Sequence, residues 1–437
     1  MTNDKSQIIT KFKIAMIQKN FVFWYLLFVI SGLSGLGLPL FAQVNSPYSR
    51  YGIGDLEFSY SARRAGMGGL GVAVDDNAFI SMLNPAAWHS INLSRVEFAT
   101  YFNGSFVKDQ KQKSFYSGGY FSGFSFALPV SKDHGIAVSV GLIPLSKIAY
   151  DTKVDVINQS TQTIDYTKNF SGDGGLSKVY LGTSYTFPFD VSVGASLDYN
   201  FGTFGYHSKL NFPGNSSANS SFKSEYKVKG LGGTFGLISQ NLNENIFKSD
   251  IFQDFRFGAS VSFISQMTVD TSFTKFGTYV NDTLSQGITT MKIPPRFTIG
   301  ASAKLNPRTQ IYADYLFQNW ADFSVSGNAG NNLQNLSKVS LGIEYKNSVQ
   351  AFTLSDLIIW RGGFSYESTP YKINGKSVNE FSVSGGVSLP FSRENYLDLS
   401  LQYISRGSTD AGLLKENILK LGASLSLGEL WFVRQDY

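Results

Sequence analysis

The chain has 437 residues, a formal net charge of +5, no Cys, three His, 43 Gly, 16% charged and 15% aromatic residues, whereas soluble domains average about 25% charged residues. Without Cys it can hold neither a disulfide staple nor a lipid on a cleavage-site Cys. With a mean hydropathy of −0.06, no basic stripe for nucleic acid and no run of 18 or more apolar residues after the N-terminus, spanning helices are excluded as well.

Lys5, Lys11, Lys13 and Lys19 precede the apolar run FVFWYLLFVISGLSGLGLPLFA, which ends at Ala42 before Gln43. A basic leader, an apolar core and a small residue at the cut make residues 1–42 a signal peptide, a retained anchor being the alternative because the run is long and Leu40 is large for its place. Cleavage removes four Lys and Asp4, so the charge falls by three to about +2.

Residues 43–94 lack sustained alternation and read as turns with one or two short helices. Within them RRAGMGGLGVAVDDNAFISMLNPAAW carries Gly66-x-Gly68-x-x-Gly71. A dinucleotide fingerprint needs a buried strand before the first glycine, a helix after it and an acid about 20 residues on. SYSARRA is too polar for that strand, and Asp75 and Asp76 come too soon, so no cofactor is expected. The glycines instead suit tight turns and close backbone approach. Asp75 and Asp76 suit turns or helix caps, and no other ligand stands at metal spacing.

From residue 95 onward the period is two. Leu397, Leu399, Leu401 and Tyr403 alternate with Asp398, Ser400 and Gln402; Val339, Leu341, Ile343 and Tyr345 alternate with Ser340, Gly342 and Glu344. Short turns near 130, 188, 307 and 391, and less sharp ones near 245 and 350, are separated by polar stretches such as FVKDQKQKSF, FPGNSSANSSFKS and SGNAGNNLQNLSK. Each interval of about 40 to 60 residues holds two membrane strands of roughly 10 residues and a long loop. Seven such hairpins predict an all-β fold, a transmembrane antiparallel β-barrel of about 14 strands over residues 95–437, because only a closed barrel satisfies every amide in lipid without helices.

Pro144, in GIAVSVGLIPLSKIAYD, falls in the third strand. A proline in a closed wall removes a ladder hydrogen bond and bends the strand, with Gly141 to ease it; alternatively Pro144 lies beyond the membrane. His89, His134 and His207 fall in different places along the chain, so no catalytic cluster is expected.

The AGMGG-x-GVAV-DD segment leading into Asn84-Pro85-Ala86, together with the strand count and IPPRFTIG at 293–300, resembles the FadL-type outer-membrane transporters of hydrophobic compounds, including the PorV-like barrels. That resemblance implies that residues 43–94 form a hatch inside the barrel, with Gly66, Gly68, Gly71, Asn84, Pro85 and Ala86 as its motif. It also implies the outer membrane of a Gram-negative bacterium, passive uptake of hydrophobic small molecules such as long-chain fatty acids, and lateral release near Gly141 and Pro144. The PorV-like branch implies instead a barrel that anchors or shuttles exported proteins in a secretion or gliding complex. Apart from that resemblance, a barrel of this size encloses a lumen too wide for its own side chains, so a plug is expected on physical grounds.

Overall fold

Alternating apolar and small polar residues extend the backbone and leave each amide to be paired sideways, and the computed structural model meets that demand by closure. It describes residues 46–429 except 111, 158–163, 214–218, 278–280, 331 and 351, so the segment expected to be a signal peptide and the C-terminal WFVRQDY lie outside the described residues. Fourteen antiparallel barrel strands run in chain order. They are β1 (Ser94–Lys108), β2 (Lys113–Ser131), β3 in two arms (Ile136–Pro144 and Ser146–Ile157), β4 (Ile164–Thr186), β5 (Ser192–Asn211) and β6 (Ser220–Ile238). There follow β7 in two arms (Asp254–Ile264 and Met267–Gly277), β8 in two arms (Asn281–Lys292 and Arg296–Asn306), β9 (Thr309–Gln318) and β10 (Leu336–Lys346). The last four are β11 (Ile359–Ile373), β12 (Lys376–Pro390), β13 (Tyr396–Arg406) and β14 (Lys415–Glu429).

The ring closes where β1 pairs with β14, from Ser94↔Glu429 to Lys108↔Lys415. Register keeps like with like: Leu397 faces Leu425 and Asp398 faces Ser424 across β13 and β14. Leu399, Leu401, Leu419 and Leu421 stay 38–48% exposed and form part of an outward apolar belt, whereas Asp398, Ser400 and Ser424 are at most 5% exposed and face inward. The greasy face therefore meets lipid and the polar face meets the lumen.

Strand length departs from the expected 10 or so residues. β4 spans 23 residues, and most of FVKDQKQKSF, read as a long loop, belongs to β1 and β2, with only residues 109–112 between them. Above the lipid a ladder needs only backbone partners, so polar alternation continues a strand as well as apolar alternation does. SGNAGNNLQNLSK remains largely irregular, with a small hairpin of Ser324–Val325 and Asn328–Ala329.

Residues 46–93 carry a 3-10 turn (Pro47–Arg50), a two-residue strand (Asp55–Leu56), a one-turn helix (Ala62–Ala65) and a second 3-10 helix (Pro85–Ser90). They lie against the inward faces of the strands. Leu70, Phe79, Ile80, Met82, Leu83 and Trp88 join Ile143, Leu176, Phe204, Met267 and Leu316 of the wall in one buried apolar cluster. Each large side chain buried this way contributes about 1.5–3 kcal/mol, so the core of this protein fills the lumen.

Candidate functional site: the plugged lumen and the break in its wall

Arg63 and Arg64, which made SYSARRA unfit as a strand, sit in the one-turn helix that Ser61 caps by accepting from the Arg63 amide. The Arg63 guanidinium donates through Nη1 to Asp76 Oδ2 at 2.8 Å and through Nε to Asp398 of β13 at 3.3 Å. Arg361 of β11 donates to Glu344 of β10 at 3.0 Å and approaches the same Asp398 at 3.4 Å. Burial opposes ionisation of Asp76, but Arg63 and Arg64 outweigh it and hold this carboxyl well below the usual range. The side chain of Asp76 also accepts from the Ala78 amide at 3.0 Å, so the expected turn role is present alongside an ion pair the sequence did not reveal. Asp75 lies 3.8 Å from His89 and from Arg256.

The wall also holds the hatch backbone directly. Asp314 accepts from the Val72 amide at 3.0 Å, Glu97 from Ile80 at 2.9 Å and Ser384 from Gly68 at 3.1 Å; Gln402 donates to the Ala65 carbonyl at 2.9 Å. Irregular chain in a lumen has no ladder of its own, so wall side chains satisfy its amides. Gly66 packs against Gly386 so closely that a Cβ on Gly66 would lie 3.0 Å from the Gly386 Cα; Gly68 and Gly71 take φ of +83° and +123°. Gly66 thus permits close backbone approach, and Gly68 and Gly71 hold conformations that side chains disfavour.

Asn84, fully buried, caps the second 3-10 helix: its Oδ1 accepts from Ala86 at 3.0 Å, while Nδ2 donates to Val72 O at 2.7 Å and to Leu237 O of β6 at 3.1 Å. Pro85 occupies the first helical position, where its missing N–H costs nothing. Trp88 donates to Ser81 O at 2.8 Å and stacks on Tyr180 of β4 at 5.7 Å. Asn84, Pro85 and Ala86 therefore join three pieces of the molecule: the glycine segment, the following helix and the wall.

Pro144 ends the lower arm of β3. There β2 loses its neighbour: its last pair with β3, on the lower arm, is Phe124↔Leu142, and its residues 113–123 pair only with β1. The upper arm pairs with β4, from Ile148↔Gly174 onward, and on its other side with the hatch strand, Asp55↔Lys147 and Leu56↔Ser146. Glu57 N donates to Leu145 O at 2.9 Å and Ser46 N to Ala149 O at 2.8 Å. Opposite the break Gly174 and Gly175 take φ of +110° and +151°, a bulge that side chains would strain. Gly141 lies below the break, where a Cβ would come 2.7 Å from the Tyr180 ring. On the adjoining wall, Leu419 and Leu421 of the belt pair with Gly104 and Phe102 of β1, whose partners in β2 are Ser117 and Gly119. The unpaired stretch of β2 is thus level with the upper part of the apolar belt.

Among the described residues several cavities lie between hatch and wall. One of about 120 Å³ is lined by charged groups that include Glu57, Lys147, Lys338, Glu367, Glu380 and Lys420. Another, about 30 Å³, lies between Leu145 and Leu176 at the break and the polar groups of Asn200, Arg296, Gln318 and Trp320. Larger ones, of about 270 Å³ and 490 Å³, lie beside Asp75 and Asp76 and beside Pro47, Tyr48 and Tyr51, the last within the roughly 300–1,000 Å³ typical of ligand pockets. Among the described residues no cluster of three or more His, Asp or Glu could hold a metal. His134 lies in the turn after β2, and His207 of β5 pairs with Asp173 of β4.

The acids at Asp314, Glu344 and Asp398 escaped sequence reading as site residues. Their signal was present, since each stands on the polar face of an alternating strand, but its meaning depends on which hatch atom faces it.

A family model described as BamG matches residues 16–437. No curated protein sequence matches the chain. Among solved structures, the toluene transporter TbuX of Ralstonia pickettii superimposes with a TM-score of 0.57 at 18% identity, covering 85% of this chain and 99% of that one. A FadL homologue of Pseudomonas aeruginosa gives 0.57 at 12% identity over 89% and 100%, and the toluene transporter TodX of Pseudomonas putida 0.56 at 17% over 86% and 98%. Such distant likeness establishes a shared barrel fold.

Proposed function

The chain belongs to the BamG family and shares the barrel fold of a FadL homologue and of toluene transporters; from that premise we propose that it is an outer-membrane barrel that passes small hydrophobic compounds, long-chain fatty acids or monoaromatic hydrocarbons, between its lumen and the bilayer through the break in β3. The observation that carries this reading is the unpaired wall between β2 and the upper arm of β3, level with the apolar belt and covered from inside by residues 46–57. An apolar solute that leaves sideways never has to enter water on the far side. Solved barrels of the same fold include toluene transporters and a monoaromatic hydrocarbon channel, which supports the solute class.

The test is flux in liposomes. Protein-dependent uptake of labelled oleate or toluene is expected, and Pro144→Ala with Gly175→Val should slow it by about tenfold or more by disturbing the break. Equal leak from wild type and variant, or none from either, sinks the transport reading.

A second reading is favoured by the charged lining of the cavity of about 120 Å³ beside Glu57, which offers an apolar solute no pocket. Under it the plugged barrel is an anchor or shuttle for exported proteins in a secretion or gliding complex. Stable copurification of other envelope proteins with the native chain, combined with absent flux, selects this reading.

A further inference from the structure

Arg296 stands outside the ion pairs of the lumen. It opens the lower arm of β8 after the Ile293-Pro294-Pro295 interruption, level with Gln318 of β9 on one side and Ser262 of β7 on the other. It borders the cavity of about 30 Å³ between hatch and wall. Among the described residues Asp198 of β5 is the one carboxylate in that lining, and it is already held by Lys178 of β4 at 2.9 Å, Thr234 at 3.0 Å and Ser196 at 2.8 Å. Lys178 and Arg296 against Asp198 leave the lining one positive charge in excess. What Arg296 has beside it is the ring of Phe58, whose centre is 5.6 Å from the guanidinium carbon. A ring face offsets only a small part of what a cation loses on leaving water.

Polar atoms without partners border the same cavity. Arg296 Nε, Trp320 Nε1 and Asn200 Nδ2 are buried donors with no hydrogen-bond partner among the described residues, and Asn200 Oδ1 and Gln318 Oε1 are acceptors in the same position. Asn200 is 1% exposed, Trp320 2% and Gln318 3%. Donors outnumber acceptors by three to two, and exchanging the two ends of the Asn200 amide leaves that count unchanged. Each such atom costs stability until something pairs with it. Water can pair with all of them but cannot balance the excess charge. A small anion balances the charge and accepts from the donors, and a volume of about 30 Å³ admits one halide-sized ion with one water for the amide oxygens. It admits neither toluene nor a fatty acyl chain.

We propose that Arg296, Trp320 and Asn200 bind a monovalent anion of halide size, chloride above all, as a fixed counter-ion between wall and hatch. On the hatch side the cavity is closed by Ile53, Leu56, Met82 and Leu83, so the ion is retained while the hatch is in place. An ion that binds only the plugged barrel stabilises the plugged barrel. Plugging therefore depends on chloride. The anion site requires nothing of the transport reading.

Unfolding temperatures of the detergent-solubilised protein are compared in sodium chloride, sodium bromide and sodium gluconate at equal ionic strength. Wild type should unfold about 4 °C or more higher in about 0.3 M chloride or bromide than in gluconate, whose anion is too large for the cavity. Arg296→Met removes the charge while keeping much of the bulk, and should abolish that increment. Equal temperatures for wild type in the three salts, the outcome if water alone fills the cavity, overturn the proposal. So does an increment that persists in Arg296→Met, because the ion is then bound elsewhere. Should Arg296→Met fail to fold, bromide is located by its anomalous scattering in crystals of wild type: a peak within hydrogen-bond reach of Arg296 and Trp320 Nε1 supports the site, and peaks only elsewhere, or none, overturn it.

Discussion

Asp76 shows what a single residue does in a lumen. Its carboxyl is almost surrounded by protein, and Arg63, Arg64 and the Ala78 amide are the groups that make its charge tolerable there. Removing one member of a buried pair costs about 3–5 kcal/mol, because the partner is left charged and dry. Asp76→Asn is therefore expected to lower the temperature at which the folded band disappears in a heat-modifiability gel. The carboxyl titrates lower in the folded chain than its ordinary value of 3.8, so its stabilisation is complete above that value and fades as pH falls below it toward the depressed one. The gap between wild type and variant should thus be constant from about pH 8 to pH 5 and narrow below about pH 4; a gap that widens in acid contradicts the pairing. Asn84→Ala removes three hydrogen bonds, one of them a helix cap. Each lost bond costs on the order of 1 kcal/mol, and hydrogen exchange at residues 72–90 should rise while that of β13 and β14 stays slow.

At the scale of elements, the β3 break depends on its neighbour. β4 turns past it through Gly174 and Gly175, where a Cβ on either would run into backbone of the adjoining strand. Gly174→Val is expected to reduce the folded fraction of refolded protein severalfold, whereas Gly327→Ala, whose Cβ meets nothing within 4 Å, should be far milder although its φ is also positive. Equal yields for the two would show that the bulge carries no geometric demand. From sequence alone Pro144 marks either a bend in the third strand or a place beyond the membrane, since its ring and missing N–H are local facts. The hatch strand that covers the gap was not readable. Asp55 and Leu56 show no alternation, and their pairing with Ser146 and Lys147 spans some ninety residues of chain.

For the whole molecule, closure and plugging are separate achievements. Alternation and even strand number close the wall whether or not anything sits inside, because β1 meets β14 by backbone pairing alone. Deleting residues 46–90 should therefore leave a barrel that still assembles and has mainly β-type circular dichroism. It should conduct ions in planar bilayers, in steps the intact protein lacks, because its inward face is polar and a lumen of this strand number is not filled by wall side chains. Failure of the deleted chain to assemble in the presence of detergent or lipid would mean that the hatch is needed to fold the wall.

Fold class was legible because it rests on short-range facts. A side-chain period of two, the absence of apolar runs and the spacing of turns each express how an extended amide backbone must be paired in lipid. Leu397, Leu399 and Leu401 announced their lipid face without reference to any other strand. Only the tertiary structure decided what the polar faces do. Asp314, Asp398 and Glu344 look like any polar residue in an alternating strand, and become fastenings because the ring brings Val72, Arg63 and Arg361 to them. Charge pairing in a lumen depends on distance in space, which local periodicity does not encode.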